Sequence, residues 1–232
     1  MILKGGLNFV ENGLTMSIRA MHLQQEQFAI HNENVTGFDK IGYQRKDPVV
    51  SSFSEWIGIH GLSKSVDDSV GRIALTQKPL DFALAEKGYF QYKTADGVKI
   101  TRDGRFKIDN EGYLRTNEGY NVLSDAGQEI KLPFIPKNLN DLTVDRNGNI
   151  NIVNRATGHQ DFVATMAVVS DDGVAVLEPN VKQGYLEYSN VSLETEFMQI
   201  FPIRRNFDAN RQMFIIQSNN LASTIEKLGS AT

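Results

Sequence analysis

Between Leu193 and Leu228 a large apolar residue returns at every seventh position: Leu193, Ile200, Phe207, Phe214, Leu221 and Leu228. The opening of the chain keeps the same step, at Leu7, Leu14, Met21, Phe28 and Val35. Seven residues are close to two helical turns, so such a repeat draws a stripe along one side of a helix and marks a seam that packs lengthwise on another helix. A chain with this pattern at both ends is constrained to carry a helix at each end. Val10 and Ile18 widen the first stripe, Gly13 is expected to be a weak point costing up to about 1 kcal/mol relative to Ala, and Gly37 is expected to close the helix in the left-handed conformation. Before the second helix, Ser189-Asn190-Val191-Ser192 supplies cap residues, and Glu194 and Glu196 sit in its first turn. Pro202 falls inside the pattern, and because the repeat passes through it without slipping, a bend rather than a stop is expected.

The middle of the chain reads differently. Residues 38–69 give no regular element: Pro48 blocks a helix, Ser51, Ser52 and Ser54 favour loop, and Phe53, Trp56 and Ile57 form an apolar cluster expected to dock on the chain's own core. From Gly71 to Tyr188 short alternating runs appear, such as Leu80-Phe82-Leu84, Phe90-Tyr92, Val98-Ile100 and Phe106-Ile108, with later strands expected at Ile150–Val153, Phe162–Val169 and Val174–Leu177. Turn signals separate them: Asp96-Gly97, Asp103-Gly104, Asn110-Glu111-Gly112, Glu118-Gly119, Ala126-Gly127, Asn147-Gly148 and Asp172-Gly173. Alternating runs cut by such turns predict antiparallel β structure. The expected fold is therefore α+β: a discontinuous terminal-helix coiled coil from residues 1–45 and 189–232, an extended linker at 46–69, and a central all-β domain at 70–188.

Chemistry is harder to find. The chain has no cysteine, which excludes disulfides and thiolate metal sites, and its net charge of −4 argues against nucleic acid. Arg204, Arg205 and Arg211 form a local basic cluster, read as a solvated or partner-facing helix surface. No apolar run reaches the length of a membrane span, and the N-terminal residues lack the apolar core of a cleaved signal peptide. His22, His31, His60 and His159 are scattered, and no phosphate-loop, nucleophile-elbow or zinc-protease motif occurs. Asp145-Arg146-Asn147-Gly148-Asn149 begins like a calcium loop, but the sixth and twelfth positions are Ile150 and Ala156 instead of Gly and Glu, so a hairpin turn is expected. Asp81, Asp103 and Asp109 could supply a carboxylate pair for glycoside chemistry, but they lie in or beside turns, where Asp bonds to its own backbone. Asn34-Val35-Thr36 and Asn190-Val191-Ser192 match a glycosylation pattern and also sit at helix ends, where Asn has a local structural use. No enzyme, cofactor, metal or small-molecule substrate is expected.

Four segments in order resemble the bacterial flagellar rod and hook axial family. They are Asn34-Val35-Thr36-Gly37-Phe38 through Tyr43-Gln44-Arg45; Thr76-Gln77-Lys78-Pro79-Leu80-Asp81-Phe82 with Gly88-Tyr89-Phe90; Ile100-Thr101-Arg102-Asp103-Gly104-Arg105-Phe106 through Glu118-Gly119-Tyr120; and Gly184-Tyr185-Leu186-Glu187-Tyr188 through Arg205-Asn206-Phe207-Asp208-Ala209-Asn210. The pattern departs from the family at Thr36-Gly37, where a second Asn is lost, at Ile41-Gly42, and at Pro202. The resemblance implies a nonenzymatic building block whose terminal helices form the inner layer of a tube, with the β domain outside. It implies other rod and hook axial proteins and the flagellar export apparatus as partners, and a place in the periplasm-spanning rod, reached without a cleaved signal peptide. The short chain is more similar to a proximal rod protein than to the hook protein, with the distal rod protein as the near alternative. The implied assembly interface comprises Leu7, Leu14, Met21, Phe28, Asn34, Leu193, Ile200, Phe207, Asn210, Phe214, Leu221 and Leu228. A competing reading is a secreted adhesin with a helical stalk and a β head.

Overall fold

The computed structural model describes residues 13–50, 62–155 and 158–229; Leu7, Val10, Phe53, Trp56, Ile57 and His60 lie outside them. Helix α1 is described over Gly13–Gly37, and α2 runs over Leu193–Gly229. The second helix continues through Pro202. Proline cannot donate to the carbonyl of residue i−4, here Met198. Both Pro202 and Met198 are exposed, so water can take that bond and the helix persists.

One glycine expectation is corrected, that for Gly37. Gly13 is a point of close approach: a Cβ there would lie 2.5 Å from the Gln217 amide nitrogen. Gly37 ends α1 but is not left-handed; it is buried, and a Cβ would meet the Tyr43 ring at 2.6 Å. The segment after Arg45, whose pattern gives no element, pairs as a two-stranded ribbon of Lys46–Val50 with Leu62–Val66.

From Ile73 to Glu187 the strand pairs are antiparallel. Six strands form the largest sheet: Tyr89–Thr94, Gly97–Thr101, Phe106–Ile108, Leu114–Thr116, Asn121–Val122 and Val168–Val169. Leu142–Val144, Asn149–Asn154 and His159–Thr165 form a meander. Two late strands turn back on early ones, Val181–Gln183 on Phe82–Leu84 and Tyr185–Glu187 on Ile73–Leu75. This return explains why the run Asp81-Phe82-Ala83-Leu84 is buried at every position instead of alternating. The expected strand Phe162–Val169 is split, because the chain changes sheet at Met166-Ala167. No strand forms over Val174–Leu177; only Ala175 bridges to Val169, and Leu177 is 92% exposed.

The core is aromatic at its centre. Phe106 stacks edge-on to Phe90 at 5.2 Å and tilted to Phe82 at 5.7 Å, surrounded by Leu84, Leu114, Val122, Ile130, Ile150 and Met166. Edge-to-face geometry suits the ring quadrupoles. Gly104 lets the Asp103-Gly104 turn press onto this core: a Cβ there would lie 1.8 Å from the Phe82 carbonyl oxygen.

The chain divides into two compact units. One contains α1 to Val35, the ribbon up to Ser65, and α2; the other contains Thr36–Arg45 and Val66–Ser192.

Candidate assembly surface on the terminal helices

Within the helical unit, α1 and α2 run antiparallel. His31 and Asn34 near the end of α1 meet Glu196 at the start of α2, and Gly13 meets Gln217 about six turns further along α2. Burial along α2 falls at Leu193, Glu196, Ile200, Ile203, Phe207, Asn210, Phe214 and Gln217, in alternating steps of three and four. This is a two-column seam. Its first column is the apolar heptad read from the sequence, and its second is mostly polar. On α1 the covered positions include the small or polar Gly13, Ser17, Ala20, Gln24, Gln27, His31 and Asn34 together with the apolar Leu14, Met21, Leu23 and Ile30.

At one end of the seam lies a buried hydrogen-bond network. Glu196 is fully covered and sits 2.7 Å from Nδ1 of His31, itself 2% exposed. The Asn34 amide donates to the same carboxylate at 3.1 Å and to the Lys46 carbonyl at 2.8 Å. Lys46 N–H donates back to Asn34 Oδ1 at 2.9 Å, so one side chain completes both backbone bonds of Lys46 and ties the ribbon to α1. Outside this network Glu33 accepts from the ammonium groups of Lys46 and Lys64. The Lys46 hydrogen bond, opposed by partial burial, holds the Glu33 carboxyl below its ordinary value. Further along, the side-chain oxygens of Gln24 and Gln217 are buried and accept no hydrogen bond from the described residues.

The residues expected at an assembly interface fall into three groups. Leu14, Met21, Leu193, Ile200, Phe207, Asn210 and Phe214 are partly covered, and Asn34 is wholly buried. Phe28, Leu221 and Leu228 are exposed, at 44%, 51% and 67%. Leu7 lies outside the described residues. Reading in steps of seven missed His31, Glu196 and Gln217; the signal for the two on α2 was a polar residue three positions after an apolar one.

In the β unit the motif segments have structural tasks. Arg102, 3% exposed, donates to the carbonyls of Glu86 at 2.8 Å and Gly88 at 2.6 Å, and its Nε lies 2.9 Å from Glu187 Oε2. Glu187 also accepts from Gly71 N–H at 2.8 Å, and its carbonyl accepts from Gly42 N–H at 2.8 Å. Gly42 has φ +66° and lies on the Arg102 backbone, where a Cβ would come within 2.5 Å. Asn190 accepts from Arg45 N–H at 2.7 Å and donates to the Asp67 and Ser69 carbonyls. The Asn-x-Ser/Thr triplets thus begin with asparagines engaged in structure. Asp145 takes bonds from the backbone N–H groups of Asn147 and Asn149 at 2.9 Å, which makes that segment a turn. Asp103 is paired with Arg105. Among the described residues no group of acids and histidines is arranged to hold a metal ion, and no helix is long and apolar enough to cross a membrane.

Two family models match this chain. Residues 83–152 match the flagellar hook protein FlgE/F/G D1 domain, and residues 182–227 match the flagellar basal body rod FlgEFG protein C-terminal. The chain is 28% identical to the flagellar basal-body rod protein FlgG of Bacillus subtilis, over 79% of this chain and 84% of the relative. It is 25% identical to the rod protein FlgF of Rhizobium meliloti over 96% of this chain and 100% of the relative, and 26% identical to FlgF of Mesorhizobium japonicum over 87% and 89%. The chain belongs to the flagellar basal-body rod proteins. The two matched stretches fall on distinct parts of this rod protein. The first takes in the aromatic core strands and the turn at Asp145; the second takes in the returning strands, Glu187, Asn190 and almost all of α2.

Proposed function

We propose that this chain is a structural subunit of the bacterial flagellar basal-body rod and polymerises through its terminal helices into the tubular drive shaft. The observation that carries the second half is the exposed apolar end of α2. Leu221, Ile225 and Leu228 are 51%, 61% and 67% exposed and lie at i, i+4 and i+7, on one face. A 37-residue helix is about 55 Å long, and its last turns present this stripe to neighbours. Contacts between unlike surfaces that do not close into a ring build a helical filament. The polar column of the seam supplies register: a buried polar residue in a helix interface is satisfied in one alignment and not in its neighbours.

On this reading the partners are other axial proteins of the rod and hook, and export proceeds through the flagellar apparatus. No residue has a catalytic task. Nothing among the relatives or in the geometry favours an adhesin. The test is the full chain carrying Leu221→Asp and Leu228→Asp. Both positions are exposed, so the monomer is expected to keep its far-UV spectrum while incorporation into rods is lost. Normal incorporation refutes polymerisation through this end of the helix. Phe207→Asp and Phe214→Asp are also expected to block assembly, but they are partly covered within the monomer and so also weaken the helix pair.

A further inference from the structure

The last strands of the β unit reach back to its early segments. Val181–Gln183 pairs with Phe82–Leu84, and Tyr185–Glu187 pairs with Ile73–Leu75. Between them Gly184, at φ +78°, accepts from Thr76 N–H at 2.8 Å and donates its own N–H to the Asp81 carbonyl at 2.8 Å. Val181 N–H donates to the Arg146 carbonyl at 2.9 Å. The Gln183 side chain accepts from Val144 N–H and donates to the carbonyls of Pro79 and Leu142. Beyond the strands, Ile41 bridges to Tyr188, and Tyr188 N–H donates to the Arg72 carbonyl at 2.9 Å. Glu187 and Asn190 add their bonds to Gly42, Gly71, Arg102 and Arg45. Residues 181–190 thus form one strap across the unit.

The contacts of the strap are long-range. Arg45 and Asn190 are 145 positions apart, Gly71 and Glu187 116, Thr76 and Gly184 108, and Arg102 and Glu187 85. The sheet hairpins are local by comparison: Tyr89–Thr94 pairs with Gly97–Thr101, and Phe106–Ile108 with Leu114–Thr116. Local pairs close early, whereas non-local pairs are rewarded only after a long loop has been ordered. Without the strap the early segments lack partners. Ile73–Leu75 pairs with no other strand among the described residues. Phe82 N–H keeps its bond to the Gly104 carbonyl, but the edge of Phe82–Leu84 that faces Val181–Gln183 is open. Arg102, 3% exposed, loses the carboxylate of Glu187, and a buried charge without its partner is costly.

We propose that residues 181–190 are a closing strap that folds last. The β unit stays incomplete until they arrive, and their arrival fixes residues 41–45, 71–75 and 82–84 in one step. A chain is made from its N-terminus, so the strap follows every segment that it binds. The sheet hairpins can close while the chain is still growing, but the unit cannot. Burial of Phe82-Ala83-Leu84 and pairing of Arg102 wait until the residues just before α2 are present. Closure concerns one chain before any assembly, so the strap is independent of the rod-subunit reading.

The test is refolding of the full chain from urea, with pulsed hydrogen exchange read by mass spectrometry. Peptides from residues 89–101 and 106–116 are expected to gain protection first. Peptides from 41–45, 71–84 and 181–190 are expected to gain it together, about tenfold or more later. In the folded chain, Asn190→Ala removes bonds to Arg45, Asp67 and Ser69. It is expected to speed exchange in those later peptides and to leave the hairpin peptides unchanged. Glu187→Gln keeps the shape but not the charge facing Arg102, and is expected to act in the same direction and more strongly. Protection of 71–84 before 181–190 overturns the proposal, and so does protection of the whole β unit in a single step. Faster exchange of the hairpins by the same factor in Asn190→Ala also overturns it. None of these results touches the rod-subunit reading, which is decided by incorporation of the Leu221 and Leu228 variants.

Discussion

Replacing Glu196 by Ala is expected to be the most damaging single change in the helical unit. The carboxylate is fully buried and is shared by His31 at 2.7 Å and Asn34 at 3.1 Å. Asn34 keeps its two bonds with the Lys46 backbone after the change, so the ribbon stays anchored. His31 is 2% exposed and loses its carboxylate partner. A buried pair broken on one side costs about 3–5 kcal/mol, and the small cavity left by the side chain acts in the same direction. Total stabilities are about 5–15 kcal/mol, so α1 should open on a scale that native-state hydrogen exchange detects. The assay is exchange at α1 amides followed by mass spectrometry, together with urea unfolding read in the helical band. The double variant His31→Leu with Glu196→Leu removes both polar groups and restores apolar volume, and is expected to recover most of the loss. A cost below about 1 kcal/mol for Glu196→Ala, or an additive double-mutant cycle, would refute the claim that this network holds the helices together.

Three further outcomes follow from the same geometry. Arg102→Ala is expected to destabilise the β unit by about 3–5 kcal/mol, because it strands the buried Glu187 carboxylate and frees the Glu86 and Gly88 carbonyls; thermal unfolding of the full chain checks it. Gly104→Ala should prevent native packing, since its Cβ would fall 1.8 Å from the Phe82 carbonyl oxygen, whereas Gly119→Ala, in open space at φ +94°, should cost only about 1–2 kcal/mol of backbone strain; urea midpoints separate the two. The Glu33 carboxyl is depressed in the folded chain by Lys46, so its contribution is present above the unfolded carboxylate value of about 4.3 and is lost as pH falls through the lower folded value. That contribution is small, because Glu33 is 38% exposed. Lys46→Met should raise the Glu33 titration midpoint towards the ordinary value in a carboxyl-resolved NMR titration.

The α+β architecture was legible because both of its periodicities are strong. The heptad from Leu193 to Leu228 gave α2 almost to the residue, through Pro202, and the turn glycines cut the β region at the right places. What was lost depends on distant parts of the chain. No local pattern reveals that Val181–Gln183 returns to Phe82–Leu84, so the alternation read at Leu80-Phe82-Leu84 had no means of showing burial on both faces. Val174–Leu177 has the apolar content of a strand, but its pairing stops at the Ala175 bridge to Val169 and the Val176 N–H bond to the Val168 carbonyl, and Val174 and Leu177 stay exposed. A repeat of seven finds one column of a helix seam and is silent on the other.

That silence matters most at the helix pair, because the column it omits is the polar one. An apolar column alone would let α1 slide along α2 by a heptad at little cost, since Leu, Ile and Phe present similar surfaces at each step. Glu196 removes that freedom. Shifted by seven residues, His31 and Asn34 would face Ile203 instead of a carboxylate, and the His31–Glu196 and Asn34–Glu196 contacts would be lost at about 1–3 kcal/mol each. A subunit that polymerises along its helices needs the internal alignment settled before neighbours add, because every later contact inherits its register. The exposed apolar residues near the C-terminal end, Leu221, Ile225 and Leu228, have no such polar column beside them: the intervening Thr224 hydroxyl donates to the Asn220 carbonyl of its own helix. Register is thus written into the covered part of α2, and the part left open is where we propose that neighbours adhere.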